Sequence, residues 1–188
     1  MRRTATLMLV LMAAIFAASH WAIGAHPQWA PGLGYINAFA EAAMTFHRAD
    51  WLDYAKLAYG FVINTLMKDD RFLHSYRNSR VQHAGMLEDY AHMIRAALRL
   101  YECFGEDAYL NEAIRWSAAV ETLFADAKGG YFQSASDASD LVVRQKPFMD
   151  NAVPSGNAIM AQNLAKLYAL TGDAQSRDQA EITLAAFG

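Results

Sequence analysis

The sequence predicts an all-α fold of three antiparallel helical hairpins with short extended flaps between them. Three passages carry this prediction, because they align without gaps and each lies between two helical patterns: FHRADWLDYA (46–55), FGEDAYLNEA (104–113) and TGDAQSRDQA (171–180). A short turn between two helices, repeated along a chain, is typical of arrays of helical hairpins. Hydrophobic residues make up 54% of the 188 residues, which is enough for one substantial core.

The first 25 residues are treated apart from this fold. Two arginines near the start precede an apolar run from Ala5 to Ala18, and small residues follow. This layout predicts a secretory signal peptide, cleaved after Ser19 or Ala25, and therefore export to the periplasm or the medium. The segment is also long enough to remain as an uncleaved anchor, and it is compatible with a buried helix or with a misplaced reading-frame start. Residues 26–188 are assigned to the hairpin domain.

The predicted helices of each hairpin differ in how much polar surface they carry. In the second hairpin, residues 86–104 are apolar over most of the helix circumference, whereas residues 106–124 carry more charge. A helix that is apolar nearly all round is surrounded by protein. We therefore expect an inner ring of first helices and an outer ring of second helices, which is the architecture of an (α/α) toroid. In chain order the helical patterns are GYINAFAEAAMT, KLAYGFVINTLM, EDYAHMIRAALRLYEC, IRWSAAVETLF, GNAIMAQNLAKLYAL and EITLAAF.

The connections between hairpins, residues 69–85 and 126–154, are long and not featureless. RFLHSYR (71–77) and GGYFQSASDASDLVVR (129–144) contain aromatic and β-branched residues interrupted by Gly and Ser. These patterns predict short strands or extended flaps. Long structured connections on one side of a repeat array are where function usually lies.

Charge and cysteine content exclude several classes of function. The net charge of −3 provides no basic field for nucleic acid. The single cysteine, Cys103, excludes an internal disulfide and a Cys-rich metal site, and its place in a helical stretch indicates a packed, inert thiol. His74 and His83 lie in loops without the spacing of a known metal motif. We therefore expect neither a metal nor a cofactor.

Polar residues cluster where the predicted inner helices begin. Parallel inner helices would gather their N-termini, with the positive ends of their dipoles, at one mouth of the array. Glu88 and Asp89 open the second inner helix and Asp150 precedes the third, so we predict that these three carboxylates share one face and act as acid or base groups. The candidates for binding substrate are His83, Tyr90, Arg144, Asn151 and Asn157.

Structural roles are the alternative for most of these candidates. Glu88 and Asp89 are favoured in a first helical turn by the dipole alone. Asp150 and Asn151 suit a turn, and Ser155 is a natural N-cap after a proline. The candidates in loops are equally compatible with solvation or with structural pairing.

Three segments of the sequence resemble a known family: GMLEDYAHMIRAALRLYECFGEDAYLNEA, GGYFQSA and LVVRQKPFMDNAVPSGNAIMAQNLAKLYALTGD. They are similar to the C-terminal part of the thioredoxin-domain-containing DUF255 family, which includes the spermatogenesis-associated 20-like proteins. The resemblance covers roughly residues 33–187. In that family a thioredoxin-like domain precedes an (α/α)6 barrel that belongs with the six-hairpin glycosidases and the N-acylglucosamine 2-epimerases.

The resemblance implies about half of such a barrel, because three hairpins are present where the barrel has six. The family's Trp-Asn-Gly-Leu is replaced by WAPGLGY (29–35), and no Cys-x-x-Cys occurs, so no disulfide-exchange chemistry is implied. The expected function is that of a carbohydrate-active domain, epimerase-like or glycosidase-like, within a larger protein. A non-catalytic helical scaffold or protein-binding module is the alternative.

Expected partners follow from the same resemblance. They are a sugar or other small molecule, and either the missing half of the barrel or a second copy of the chain. Membrane contact is expected only if residues 5–25 remain as an anchor. The resemblance implies the cytoplasm as the alternative to export.

Overall fold

The structure is a computed structural model that describes residues 34–77, 80–138, 143–150 and 154–187. The predictions for residues 1–25 and for Asn151 lie outside these ranges. The described residues form six helices and one small antiparallel sheet. None of the helices within these ranges is long and apolar enough to cross a membrane.

The six helices pair into three hairpins at the three repeated turns, as the sequence predicts. Each pair consists of two consecutive helices separated by two residues, and the two helices of a pair pack against each other. The helices are α1 (Gly34–Phe46), α2 (Ala49–Leu66), α3 (Leu87–Phe104), α4 (Asp107–Phe124), α5 (Gly156–Thr171) and α6 (Ala174–Ala185).

Each hairpin turn contains one residue in the left-handed backbone region at the same place. His47, Gly105 and Gly172 have φ values of 54°, 67° and 73°. A left-handed residue after the last helical turn lets its N–H reach back to a helix carbonyl. Gly105 donates to the Tyr101 carbonyl at 2.7 Å, and Gly172 donates to the Tyr168 carbonyl at 2.8 Å. The first hairpin has a histidine at this position instead of a glycine.

The inner helices α1 and α3 run parallel, because their contacts advance together along both helices. A Cβ placed on Gly34 would lie 3.5 Å from His92 Cε1, near the start of each helix. Further along, Glu41 forms an ion pair with Arg99 at 3.7 Å. Both contacts join residues that are 58 positions apart in the sequence, which is also the separation between the first two repeated turns (46–55 and 104–113).

The inner helices α3 and α5 are parallel by the same criterion. Asn163 donates through Nδ2 to the Ala91 carbonyl at 2.8 Å. Closer to the C-terminal ends, Lys166 forms an ion pair with Glu102. The helix α3 therefore lies between α1 and α5, and the three N-termini are at one end of the array.

The core is centred on α3, which is buried over most of its length. An aromatic cluster joins it to the outer helix α4 and to the connection before it. The Phe72 ring lies 4.9 Å from that of Tyr90 and 5.0 Å from that of Trp116, and Tyr90 lies 5.3 Å from Phe124, between ring centroids. The helix α3 is thus an inner helix, as the apolar residues around most of its circumference in 86–104 predict.

The connection between the first two hairpins is the three-stranded antiparallel sheet. Its strands are β1 (Met67–Lys68), β2 (Arg71–Arg77) and β3 (Arg80–Ala84), in that order. The strand predicted for RFLHSYR is β2. In the second connection, the described residues form only an isolated bridge between Ala125 and Tyr131, so that segment is an extended flap.

Candidate functional site

The N-termini of α3 and α5 are in contact. A Cβ placed on Gly156 would lie 2.9 Å from Leu87 Cγ and 3.4 Å from Glu88 Cδ, so a glycine permits this approach. Directly before α5, Asp150 Oδ1 accepts a hydrogen bond from the Ser155 N–H at 2.8 Å. Ser155 is the N-cap residue, as expected, and its hydroxyl accepts from the Ala158 N–H. Glu88 and Asp150 therefore both border the first residues of α5.

Glu88 has the most unusual environment of the predicted acid–base groups. Its Oε2 atom is buried and has no hydrogen-bond partner in the described part of the chain. Burial raises the pKa of the Glu88 carboxyl and outweighs the hydrogen bond from its own backbone N–H, which lowers it; the neighbouring Asp89 raises the pKa further, and His74 opposes the shift. A carboxyl group with a raised pKa keeps its proton closer to neutral pH, and it can then act as a general acid.

Asp89 is an anchor rather than an open acid–base group. It is buried, and its Oδ2 atom accepts the Met86 N–H at 2.8 Å, which closes the start of α3. The same oxygen lies 2.8 Å from His74 Nδ1. The hydrogen bond to Asp89 raises the pKa of the His74 imidazole. These two contacts hold the carboxylate in place, so we expect Asp89 to position His74 and the start of α3 rather than to exchange protons with a substrate.

Tyr90 and Asn157, predicted to bind substrate, are buried in the core. The Tyr90 hydroxyl accepts the Phe72 N–H at 3.2 Å. Asn157 accepts the Tyr131 N–H at 2.8 Å and donates to the carbonyls of Tyr131 and Pro147 at 2.9 and 2.8 Å. These side chains hold the connecting segments against α3 and α5, and we remove them from the proposed site.

Arg144 also holds the flap. Its guanidinium donates to the Ser134 carbonyl at 2.6 and 2.9 Å and to the Leu123 carbonyl at 3.0 Å. It also stacks on Phe132, with 4.2 Å between Cζ and the ring centroid. Because its donors are directed to main-chain carbonyls, we assign it a structural role.

The two other substrate-binding candidates differ in what the structure shows. His83 is exposed on β3 and has a φ of 61°. Asn151 lies outside the described residues. His83 therefore stays a candidate for contact with a ligand, on the hairpin that also carries His74.

His74 is a residue that the sequence did not single out as a site residue. Side chains alternate between the two faces of a strand, so Phe72 and His74 lie on the same face of β2. Phe72 packs against Tyr90 of α3, which indicates that His74 faces the same helix. In the sequence, the position of His74 two residues after Phe72 in RFLHSYR was therefore the signal that could have placed it on the face of β2 that packs against α3. Within the described residues, no group of three or more His, Cys, Asp or Glu could hold a metal ion.

Comparison with known proteins finds relatives of this chain. Over 105 residues, 55% of its length, the sequence is 41% identical to a protein of the rat, Rattus norvegicus. The chain is similar to spermatogenesis-associated protein 20. It covers 13% of that relative, and therefore only a small part of its length. The predicted resemblance is confirmed, although no protein-family model matches the chain.

Solved structures confirm the fold. A GH76 alpha-mannanase from Bacteroides thetaiotaomicron superposes with a TM-score of 0.67 and 22% identity, over 85% of this chain and 44% of the mannanase. Cellobiose 2-epimerase from Spirochaeta thermophila gives a TM-score of 0.65 and 16% identity, over 84% and 42% of the two chains. At these identities the likeness shows the fold alone. The three hairpins have the fold of part of an (α/α)6 toroid, and they span less than half of each neighbour.

Proposed function

We propose that this chain is a carbohydrate-active domain in which Glu88 is the proton donor. The observation that carries the proposal is the Oε2 atom of Glu88, which is buried without a partner among the described residues where α3 meets α5. The positive ends of two helix dipoles lie at this point, and they would stabilise the carboxylate that Glu88 becomes once it has given up its proton. The fold is shared with a mannanase and an epimerase, both of which act on sugars by their names.

Asp150 is the candidate for the opposing carboxylate. Glycoside hydrolysis commonly uses one protonated carboxyl group and one ionised carboxylate on either side of the sugar. Asp150 is exposed, and it holds the start of α5 through Oδ1, one of its two carboxylate oxygens. Glu88 would protonate the departing oxygen, and Asp150 would stabilise positive charge on the sugar ring.

Turnover by the 188-residue chain tests this proposal. The chain is incubated with α-mannan and, separately, with cellobiose, and the products are separated by chromatography. We expect turnover of one of these substrates and a loss of at least about 100-fold in Glu88→Gln, the usual contribution of a general acid. Glu181→Gln, on the exposed face of α6, is the matched control.

A protein-binding scaffold is the second candidate function. The observation that favours it is a set of large apolar side chains exposed on the outer helices, among them Leu57, Ile182 and Leu184. The same experiment separates the two functions. A folded wild-type chain that neither converts nor binds either saccharide, measured by calorimetric titration, would reject the carbohydrate proposal and favour the scaffold.

A further inference from the structure

His74 and Asp89 form a dyad that the proposed function does not yet use. His74 Nδ1 and Asp89 Oδ2 are 2.8 Å apart, and the two side chains are 43% and 11% exposed, respectively. A buried carboxylate thus holds the inner nitrogen of a half-exposed imidazole. Glu88 is the residue next to Asp89 at the start of α3.

We propose that His74 is the proton acceptor of the site in which Glu88 is the donor, and that Asp89 is its positioning residue. This inference rests on the proposed function. His74 belongs to β2 of the connecting sheet, whereas Glu88 and Asp150 lie at the N-terminal ends of the inner helices α3 and α5.

The hydrogen bonds of Asp89 fix which nitrogen of His74 can react. An ionised carboxylate only accepts hydrogen bonds, so His74 Nδ1 carries the hydrogen. Asp89 Oδ2 also accepts the Met86 N–H at 2.8 Å, which ties the carboxylate to the first turn of α3. The imidazole is thereby held in the tautomer that leaves Nε2 free to take a proton.

The backbone of β2 that carries His74 is also held in place by packing. Phe72, two residues before His74, is buried among the rings of Tyr90 and Trp116, and its N–H donates to the Tyr90 hydroxyl at 3.2 Å. A group whose supporting residues are packed keeps the orientation that proton transfer needs. The packing of Phe72 in the first part of β2 therefore holds His74 against the start of α3.

In the described part of the chain, the charged and titratable groups that we find around His74 belong to α3 and β3. Asp89 and Glu88 belong to α3, and both favour the protonated imidazole. On β3, the pairs Leu73–Ala84 and Ser75–Gln82 place His83 opposite His74 in the register. The Asp89 hydrogen bond raises the pKa of His74, which makes it a stronger base once deprotonated.

The proton count of a hydrolytic step balances with these two groups. The Glu88 carboxyl gives its proton to the departing glycosidic oxygen as the C–O bond breaks. A water molecule attacks the sugar carbon, a new C–O bond forms, and Nε2 of His74 takes the proton of that water. Glu88 is left as a carboxylate and His74 as an imidazolium, and exchange with solvent restores both.

The test compares His74→Gln with His47→Gln, a substitution of the same kind at the exposed turn of the first hairpin, in the full chain. Turnover of the substrate found for the wild type is measured from pH 4 to pH 9, with the helical signal as the folding check. For His74→Gln we expect kcat to fall at least about 100-fold with KM nearly unchanged, and the acidic limb of the profile to disappear. His47→Gln should stay within about twofold of wild type, because His47 is exposed at the end of the array away from the N-termini of the inner helices.

Nitrogen-15 NMR of the imidazoles adds a readout that does not depend on turnover. Wild-type His74 should carry its hydrogen on Nδ1, and Asp89→Asn should lose this tautomer preference. If His74→Gln keeps the rate and pH profile of His47→Gln while Glu88→Gln is inactive, the inference about His74 is overturned and the proposed function stands. A wild-type chain with no saccharide turnover or binding overturns both.

Discussion

Gly156 lies against Glu88 where the third inner helix begins beside the second. A Cβ at position 156 would approach Glu88 Cδ to 3.4 Å, and it would approach Leu87 Cγ and Cδ2 to 2.9 Å. The second approach is closer than carbon atoms tolerate, and Leu87 is fully buried. The same glycine therefore sets the distance between two inner helices and helps to enclose the carboxyl group of Glu88.

Gly156→Ala is expected to destabilise the fold. Because the added methyl group would overlap a buried leucine, the helix starts must separate or Leu87 must leave its rotamer. Overpacking of this kind costs roughly 1–3 kcal/mol. The free energy of unfolding is measured by urea titration, with the circular dichroism signal at 222 nm as the readout.

Gly60→Ala is the control for that substitution. Gly60 lies inside α2, and no atom of the described residues lies within 4 Å of the Cβ that it would gain. Alanine favours a helix interior over glycine by roughly 0.5–1 kcal/mol, so this variant should be more stable than wild type. Equal effects of the two substitutions would show that the contact at Gly156 does not exist as described.

His47→Gly is expected to stabilise the first hairpin. His47 has the positive φ that the other two hairpin turns assign to glycine. A non-glycine residue in this region costs roughly 1–2 kcal/mol, and part of that cost is recovered when glycine replaces it. We expect a gain of roughly 0.5–1 kcal/mol in the free energy of unfolding, measured by urea titration.

Gly105→Ala makes the reverse change at the equivalent turn, where φ is 67°. Space does not limit this position, since no described residue comes within 4 Å of an added Cβ. The free energy of unfolding is expected to fall by roughly 1 kcal/mol, and this loss would come from the backbone conformation alone. A stable Gly105→Ala together with a destabilised His47→Gly would contradict the shared geometry of the turns.

Glu88→Gln should change the dependence of stability on pH. Burial raises the pKa of Glu88 above its ordinary value of 4.5, so the folded chain holds this proton more tightly than the unfolded chain. The stabilisation is then complete below pH 4.5 and is lost as the pH rises through the folded pKa. Relative to wild type, Glu88→Gln should gain stability between pH 4 and pH 7.

Urea titrations at several pH values measure this gain. Glu181→Gln, at an exposed position of α6, is the control, and its difference from wild type should not rise with pH in the same way. A Glu88→Gln difference that is constant from pH 4 to pH 7 would mean that Glu88 is solvated in the folded chain. The proton-donor role would then lose its physical basis.

The hairpins could be predicted because their signals are local. The repeated turns fix where helices end, and Gly105 and Gly172 occupy the left-handed position that the geometry requires. The apolar circumference of residues 86–104 indicated an inner helix, since only a helix surrounded by protein can bury all its faces. The site was harder to predict, because it depends on contacts between distant segments.

Asn157 shows why sequence alone does not define the surroundings of a predicted site residue. An amide in a first helical turn suits a ligand, yet this one satisfies main-chain groups of Tyr131 and Pro147 in the preceding flap. The sequence does not show where that flap crosses the helix. The role that we propose for His74 could not be predicted for the converse reason, because its partner Asp89 is 15 residues away and belongs to another element.

The terminal hairpins expose apolar surface that a second copy of the chain, or further hairpins, would cover. Leu57 on α2 and Leu184 on α6 are 69% and 63% exposed. Both belong to outer helices at opposite ends of the array. A two-fold axis through the centre of the toroid would place the first hairpin of one copy beside the third hairpin of the other, which is a common way to close a symmetric assembly.

We therefore predict that the 188-residue chain self-associates at micromolar concentration, as measured by size-exclusion chromatography with light scattering. The double variant Leu57→Lys/Leu184→Lys should shift towards the monomer, because a charge at either exposed position resists burial in an interface. Val143→Lys is the control, since Val143 is 72% exposed but lies in the second flap. Association that persists unchanged in the double variant would assign it to another segment, and a monomeric wild type would show that the half-toroid tolerates both open edges.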